Sequence, residues 1–193
     1  MKKLIEYFDK RLAKPEPKFL NKPNKLILGV DGKEYWISRS VAVVAVVLGI
    51  WKDNIFVIGE QRSEKMDEPG KYCVPCGYLD FNESGYEAVV RELYEEVKFY
   101  VPDYILNLMT NNEEQPFFVQ TDPSENRQNV ALTYCLIYDF EKIGLPELQK
   151  CDEVKKVEWI PIERVNNKEM YDWAFLHQDR IKLAVEKFKE YLI

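Results

Sequence analysis

Residues 77–99 read GYLDFNESGYEAVVRELYEEVKF, and the reading of the whole chain turns on them. Ser84 to Val97 has the clearest helical period in the sequence. Tyr86, Val89, Val90, Leu93 and Val97 recur at spacings of three and four, which puts them on one apolar face. Ser84 followed by Glu87 fits a capping box, in which each residue satisfies a free amide at the helix start. Glu92, Glu95 and Glu96 stand at i, i+3 and i+4, so their carboxylates share one face. Like charges at that spacing cost a helix about 0.2–0.5 kcal/mol per pair. A solvated surface absorbs that cost. A hard divalent cation would use it, because such ions take carboxylate oxygens and fill the remaining positions with water and phosphate. Periodicity alone favours the solvated face.

The flanking residues reverse that preference. Gly77 is followed by five residues and Glu83, then by seven residues and Arg91-Glu92-Leu93-Tyr94-Glu95-Glu96-Val97-Lys98-Phe99. This pattern resembles the Nudix box, G-x5-E-x7-R-E-U-x-E-E-x-G-U, where U is a bulky apolar residue. Eight of its nine specified positions match, including every charged one. Lys98 stands where the box has its second glycine. Glycine readily takes the left-handed backbone that ends many helices, and lysine is disfavoured there. The expectation is therefore that the helix end or the following loop differs from the family's.

The resemblance extends over about residues 39–165. Arg62, Tyr72 and Pro75-Cys76-Gly77 occupy the places of the family's arginine, aromatic and Pro-Gly-Gly ahead of the box. Asp152-Glu153-Val154 through Ile162 is similar to its closing strand segment. The resemblance implies an α/β fold, a Nudix-type α/β/α sandwich with a mixed sheet, spanning residues 39–193. Residues 1–38 lie outside the resemblance and are expected to be an N-terminal helix, linker and β-hairpin extension. The implied activity is metal-dependent hydrolysis of the diphosphate in a nucleoside diphosphate linked to another moiety, with ADP-ribose-like or nucleotide-sugar substrates favoured. A cation offsets the charge of the diphosphate and activates water. Mg²⁺ is the implied cofactor, with Mn²⁺ as a substitute. Gly77, through its carbonyl, and Glu92, Glu95 and Glu96 are the implied metal ligands. Glu83 and Arg91 are an implied structural pair. Glu92, Glu96 and Glu153 are the candidate catalytic acids, with Glu92 or Glu153 as the base. Arg62, Arg127 and Phe117 are candidate substrate contacts, and Phe118, Tyr78 and Trp36 are further aromatics able to stack on a base. Nudix proteins are often dimers, so a homodimer is compatible with the resemblance. The competing reading is a nucleotide-sensing Nudix-fold module that does not hydrolyse its ligand.

Outside the box the elements are simpler to read. The apolar run Val41 to Trp51 is too continuous for a one-sided strand and implies a central strand covered on both faces. Strands are expected at residues 55–61, 117–120, 130–138 and 157–160. Leu26 to Val30 and Glu34 to Ser38 flank Asp31-Gly32 as a hairpin. A short amphipathic helix is expected over 2–13, a proline-broken linker over 14–24 and a long closing helix over 171–192. Residues 104–109 are apolar and ambiguous.

The chain has 193 residues and a net charge of −6. Residues 1–25 are net +5 and residues 77–99 net −4. An acidic balance argues against nucleic acid, because phosphate backbones need a basic face. No apolar run approaches the ~20 residues of a membrane span, and the N-terminus lacks a signal-peptide core, so a cytoplasmic protein is expected. Cys73 and Cys76 form a C-x-x-C pair, but no second pair of ligands stands at matching spacing. The expected state is reduced, structural thiols.

Overall fold

Val41–Trp51 forms an 11-residue strand, β3, whose residues from Ala42 to Gly49 are all buried. Its valines favour extended backbone, and their alternation supplies apolar side chains to both faces. The computed structural model describes residues 24–102, 115–122 and 128–192. The helix expected over 2–13, nearly all of the linker, the stretch 104–109 and Arg127 lie outside those residues.

The strands are β1 (Lys25–Leu28), β2 (Glu34–Ile37), β3, β4 (Asn54–Arg62), β5 (Tyr72–Cys73), β6 (Cys76–Tyr78), β7 (Phe118–Gln120), β8 (Val130–Asp139) and β9 (Val154–Pro161). The helices are α1 (Gly85–Val97), α2 (Phe140–Ile143) and α3 (His177–Lys187). Strands β3 to β9 make one mixed, seven-stranded sheet in which β3 runs parallel to β8 along almost its whole length. On the other side of β3, β4 pairs only with its end, Leu48 to Trp51, while β6 pairs with its start, Ala42 to Val44. β4 therefore splays away, pairing with β5 and β9 instead. The opening between β3 and β4 admits the β5–β6 turn, which carries the C-x-x-C pair.

The two faces of β3 carry two cores. Val43, Ala45 and Val47 pack with α1 through Val89, Leu93 and Val97. Val44, Val46 and Leu48 pack with α3 through Ile181 and Ala184. This is the α/β/α sandwich. Fully burying side chains of this size stabilises the fold by ~1.5–3 kcal/mol each. β1 and β2 form a separate two-stranded sheet with all eight residues exposed.

Two helix ends differ from expectation. The closing helix begins at His177, not at residue 171. Residues 172–174 run beside β5 instead, where the Tyr72 amide donates to the Asp172 carbonyl and the Ala174 amide donates back to Tyr72. Trp173 fixes this stretch by donating from its indole to the Val165 carbonyl at 3.0 Å. Periodicity could not reveal this tertiary pairing. At α1 the lysine does not alter the helix end: Lys98 takes the left-handed conformation itself, at φ 55° and ψ 29°. Its amide donates to the Leu93 and Tyr94 carbonyls, and its ammonium lies 4.5 Å from the Tyr94 ring centre. These contacts offset the steric cost of a Cβ in that region. Replacing Lys98 with glycine is expected to raise unfolding free energy by about 0.5–1 kcal/mol, read by urea denaturation.

Candidate active site

α1 starts as its sequence requires. The Ser84 amide donates to Glu87 Oε2 at 2.7 Å and the Glu87 amide to Ser84 Oγ at 3.3 Å. Seen from that start, the three glutamates of one face divide. Glu92 and Glu96 turn inward and are only 8% exposed, while Glu95 stays at the surface. The turn reaches them from above. Cys76 donates its amide to Glu96 Oε2 at 2.8 Å. Gly77 lies so close to Glu92 that any added Cβ would collide with its carboxylate.

Arg91 ties this loop to the helix. Its Nε and Nη2 fork onto Glu83 at 3.0 and 2.8 Å. Nη2 also donates to the Tyr78 carbonyl, and Nη1 donates to Glu92 Oε1 and Glu95 Oε2. The fork onto Arg91 holds Glu83 below its ordinary pKa and raises that of Arg91. Paired guanidinium–carboxylate forks are among the stronger polar contacts in proteins.

These residues line one side of a cavity of about 880 Å³. Glu92 Oε2 and Glu96 Oε1 accept no hydrogen bond from a described residue and face this space. Their pKa values are raised chiefly by burial, and for Glu96 also by the charge of Glu60. Two desolvated carboxylates with spare oxygens, beside a glycine that clears the approach, form an oxygen donor set. Such a set fits a hard divalent cation.

Glu60, on β4, went unnoticed in the sequence, where it stands between the apolar run Ile55–Ile58 and the polar end Gln61-Arg62. It is 2% exposed. Its Oε1 accepts from Cys73 Sγ at 3.1 Å, and its Oε2 has no partner among the described residues. Burial pushes its pKa up to about 7.

The other sequence candidates separate cleanly. Glu153 lines the cavity, and its carbonyl accepts the Ser63 amide. Arg62 also lines it, but its Nε donates to the Asp67 carbonyl and its guanidinium lies 4.8 Å from the Phe175 ring centre. Tyr78 borders the cavity and is 57% exposed. Phe117 does not: its ring packs edge-on against Phe188, with centroids 5.5 Å apart. Trp36 is on the exposed hairpin. Phe118 lies against the guanidinium of Arg180, a residue that no sequence motif singles out.

The C-x-x-C pair acquires a neighbour from far along the chain. Cys73 Sγ, Cys76 Sγ and a His177 ring nitrogen lie within 4.8 Å of one another. His177 Nδ1, however, accepts the Val74 amide at 3.1 Å, and Arg62 Nη1 is 3.7 Å from Cys73 Sγ. A guanidinium at that range repels a second cation. The trio is built as hydrogen-bonded packing, and all four cysteines are free.

The chain matches the NUDIX domain over residues 39–178. It belongs to the Nudix family. Similar folds include a MutT/nudix family protein from Enterococcus faecalis, at 20% identity and a TM-score of 0.62, covering 97% of this chain and 70% of that one. A bifunctional NMN adenylyltransferase/ADP ribose pyrophosphatase from Francisella tularensis gives 22% identity and 0.60, covering 96% and 46%. This chain therefore spans less than half of the Francisella protein. The NUDIX domain of Shewanella oneidensis NrtR gives 19% and 0.55, covering 93% and 97%. No helix among the described residues is long and apolar enough to cross a membrane.

Gly77→Ala should leave the fold intact but displace the Glu92 carboxylate, weakening Mn²⁺ binding about tenfold or more in an EPR titration. A second expectation concerns pH. A folded-state pKa near 7 for Glu60, above its ordinary 4.5, means the folded protein keeps a proton that the unfolded chain releases. Its stabilising contribution is complete below pH 4.5 and lost as pH rises to about 7. The Tm of the metal-free protein should fall across that window, and Glu60→Gln should flatten the fall.

Proposed function

We propose that this Nudix enzyme hydrolyses the diphosphate linkage of a nucleoside diphosphate joined to another moiety, an ADP-ribose-like compound or a nucleotide sugar, with Mg²⁺ as cofactor and Mn²⁺ as an effective substitute. The observation that carries the reading is the pair Glu92 and Glu96, buried yet each with an oxygen open to the cavity. Solved relatives of similar fold support it: the Francisella enzyme has been crystallised with AMP and a Mn ion, and the NrtR domain with ADP ribose. Residues 39–193 form the catalytic domain in this reading, and residues 1–38 an extension to it.

Glu92, Glu95, Glu96 and the Gly77 carbonyl hold the cation. When bound, it supplies charge neutralisation of the diphosphate and a more acidic water. Arg91 and Glu83 keep the loop and helix in register. Glu153, which also lines the cavity, is the candidate base for the attacking water, with Glu92 as the alternative within the box. Arg62 is held by Asp67 and Phe175, so its role is to shape the wall rather than to swing onto substrate.

The test is a panel of nucleoside diphosphate conjugates with product analysis. At least one member should turn over with Mg²⁺, stop with EDTA, and lose about 100-fold or more in kcat in Glu96→Gln. Tight binding of a panel member with no turnover would overturn the proposal in favour of a sensing module.

A further inference from the structure

Arg180, on α3, is a buried cation that no described residue neutralises. It is 7% exposed and forms no ion pair with a described residue. Its one protein hydrogen bond among the described residues runs from Nη1 to Thr133 Oγ1 at 2.7 Å. Its one ring contact there is Phe118, 6.0 Å from Cζ to the ring centre. Nε and Nη2 have no partner among the described residues, yet they are not sealed, and the residue lines the cavity.

The other arginines near the cavity differ. Arg91 is saturated by carboxylates and a carbonyl, while Arg62 spends its Nε on the Asp67 carbonyl, sets Nη1 near the Cys73 thiol and lays its guanidinium over the Phe175 ring. A guanidinium cannot escape the cost of burial by losing its proton. That cost falls only when an anion supplies the missing charge and acceptors. The support beneath Arg180 is rigid. Thr133 is fully buried on β8, paired with Val44 of β3 on one side and Phe118 of β7 on the other. The hydroxyl pins one arm of the fork and leaves the rest pointing into open space.

We propose that Arg180, oriented by Thr133, is an anion subsite that binds a phosphate group of the ligand. Guanidinium forks match phosphate oxygens in pairs, which favours this anion class. The cavity is thereby lined both by carboxylates of α1 and by the guanidinium of α3. A phosphate-bearing ligand would meet Arg180 and, in the same cavity, the box carboxylates that would hold a cation. Arg62 and Arg127 were the sequence candidates for this task; Arg62 is held by Asp67 and Phe175, and Arg127 lies outside the described residues. Arg180 performs it from an element outside the box and near the end of the chain. Naming the phosphate as part of a nucleoside diphosphate rests on the proposed function; the subsite itself does not.

The experiment titrates ADP and adenosine calorimetrically into the full chain in EDTA, so that no metal bridges the ligand. Wild type should bind ADP about tenfold or more tightly than adenosine. Arg180→Met should abolish that preference, and Arg180→Lys should retain part of it. Because Met removes an unpaired buried charge at similar length, the Tm of Arg180→Met should equal or exceed that of wild type. A wild-type protein with no preference for ADP, or an Arg180→Met protein that keeps it, overturns the proposal. So does an Arg180→Met protein that melts well below wild type, since Arg180 is then a structural residue. The titration needs no turnover, so a substrate panel without turnover does not alter its outcome.

Discussion

Everything at this site depends on holding two carboxylates, Glu92 and Glu96, in the buried flank of an amphipathic helix. Burial alone disfavours their charged forms, and Glu60 adds to the opposition at Glu96. The fold tolerates this because each carboxylate receives one donor and keeps one oxygen open. Arg91 serves Glu92, and the Cys76 amide serves Glu96. The first donor belongs to the helix itself, and the second comes from the loop that runs into β6. The loop is in reach only because β4 leaves β3 after four paired residues and lets β6 take its place. Sheet topology and site chemistry are thus one arrangement.

The cavity has an electrostatic direction that the box alone does not convey. Acidic groups line it from α1 and from the loop before β9. The guanidinium of Arg180 stands apart, on the helix that covers the opposite face of the sheet. The protein's own groups leave both the acids and this cation without full compensation. A ligand carrying phosphate together with a divalent cation relieves both, and that complementarity is the strongest physical support for a diphosphate-bearing ligand.

The legible part of the sequence was its local part. The capping box and apolar period of α1 depend on residues within a few positions of one another, and the helix runs as read. The valine run of β3 announced a strand with two covered faces. What was not legible arrives from far along the chain. His177 meets Cys73 and Cys76 across about a hundred residues, and Arg180 meets Thr133 across almost fifty. Glu60 was not singled out, because nothing adjacent marks its side as interior. The start of the closing helix failed for the same reason, since Asp172 and Ala174 are held by Tyr72 rather than by their own neighbours. Lys98 is the instructive exception within the box: the backbone demand of the helix end outweighs the side chain's preference, and the residue accepts the strain.

The central claim is that Glu92 and Glu96 are buried in order to hold a divalent cation beneath the Gly77 loop. Diffraction from crystals soaked in Mn²⁺, measured with anomalous scattering, tests it most directly. The account predicts an anomalous peak in coordination contact with both carboxylates and with the Gly77 carbonyl. Peaks only at surface acids, with Glu92 and Glu96 left as they stand, would contradict it.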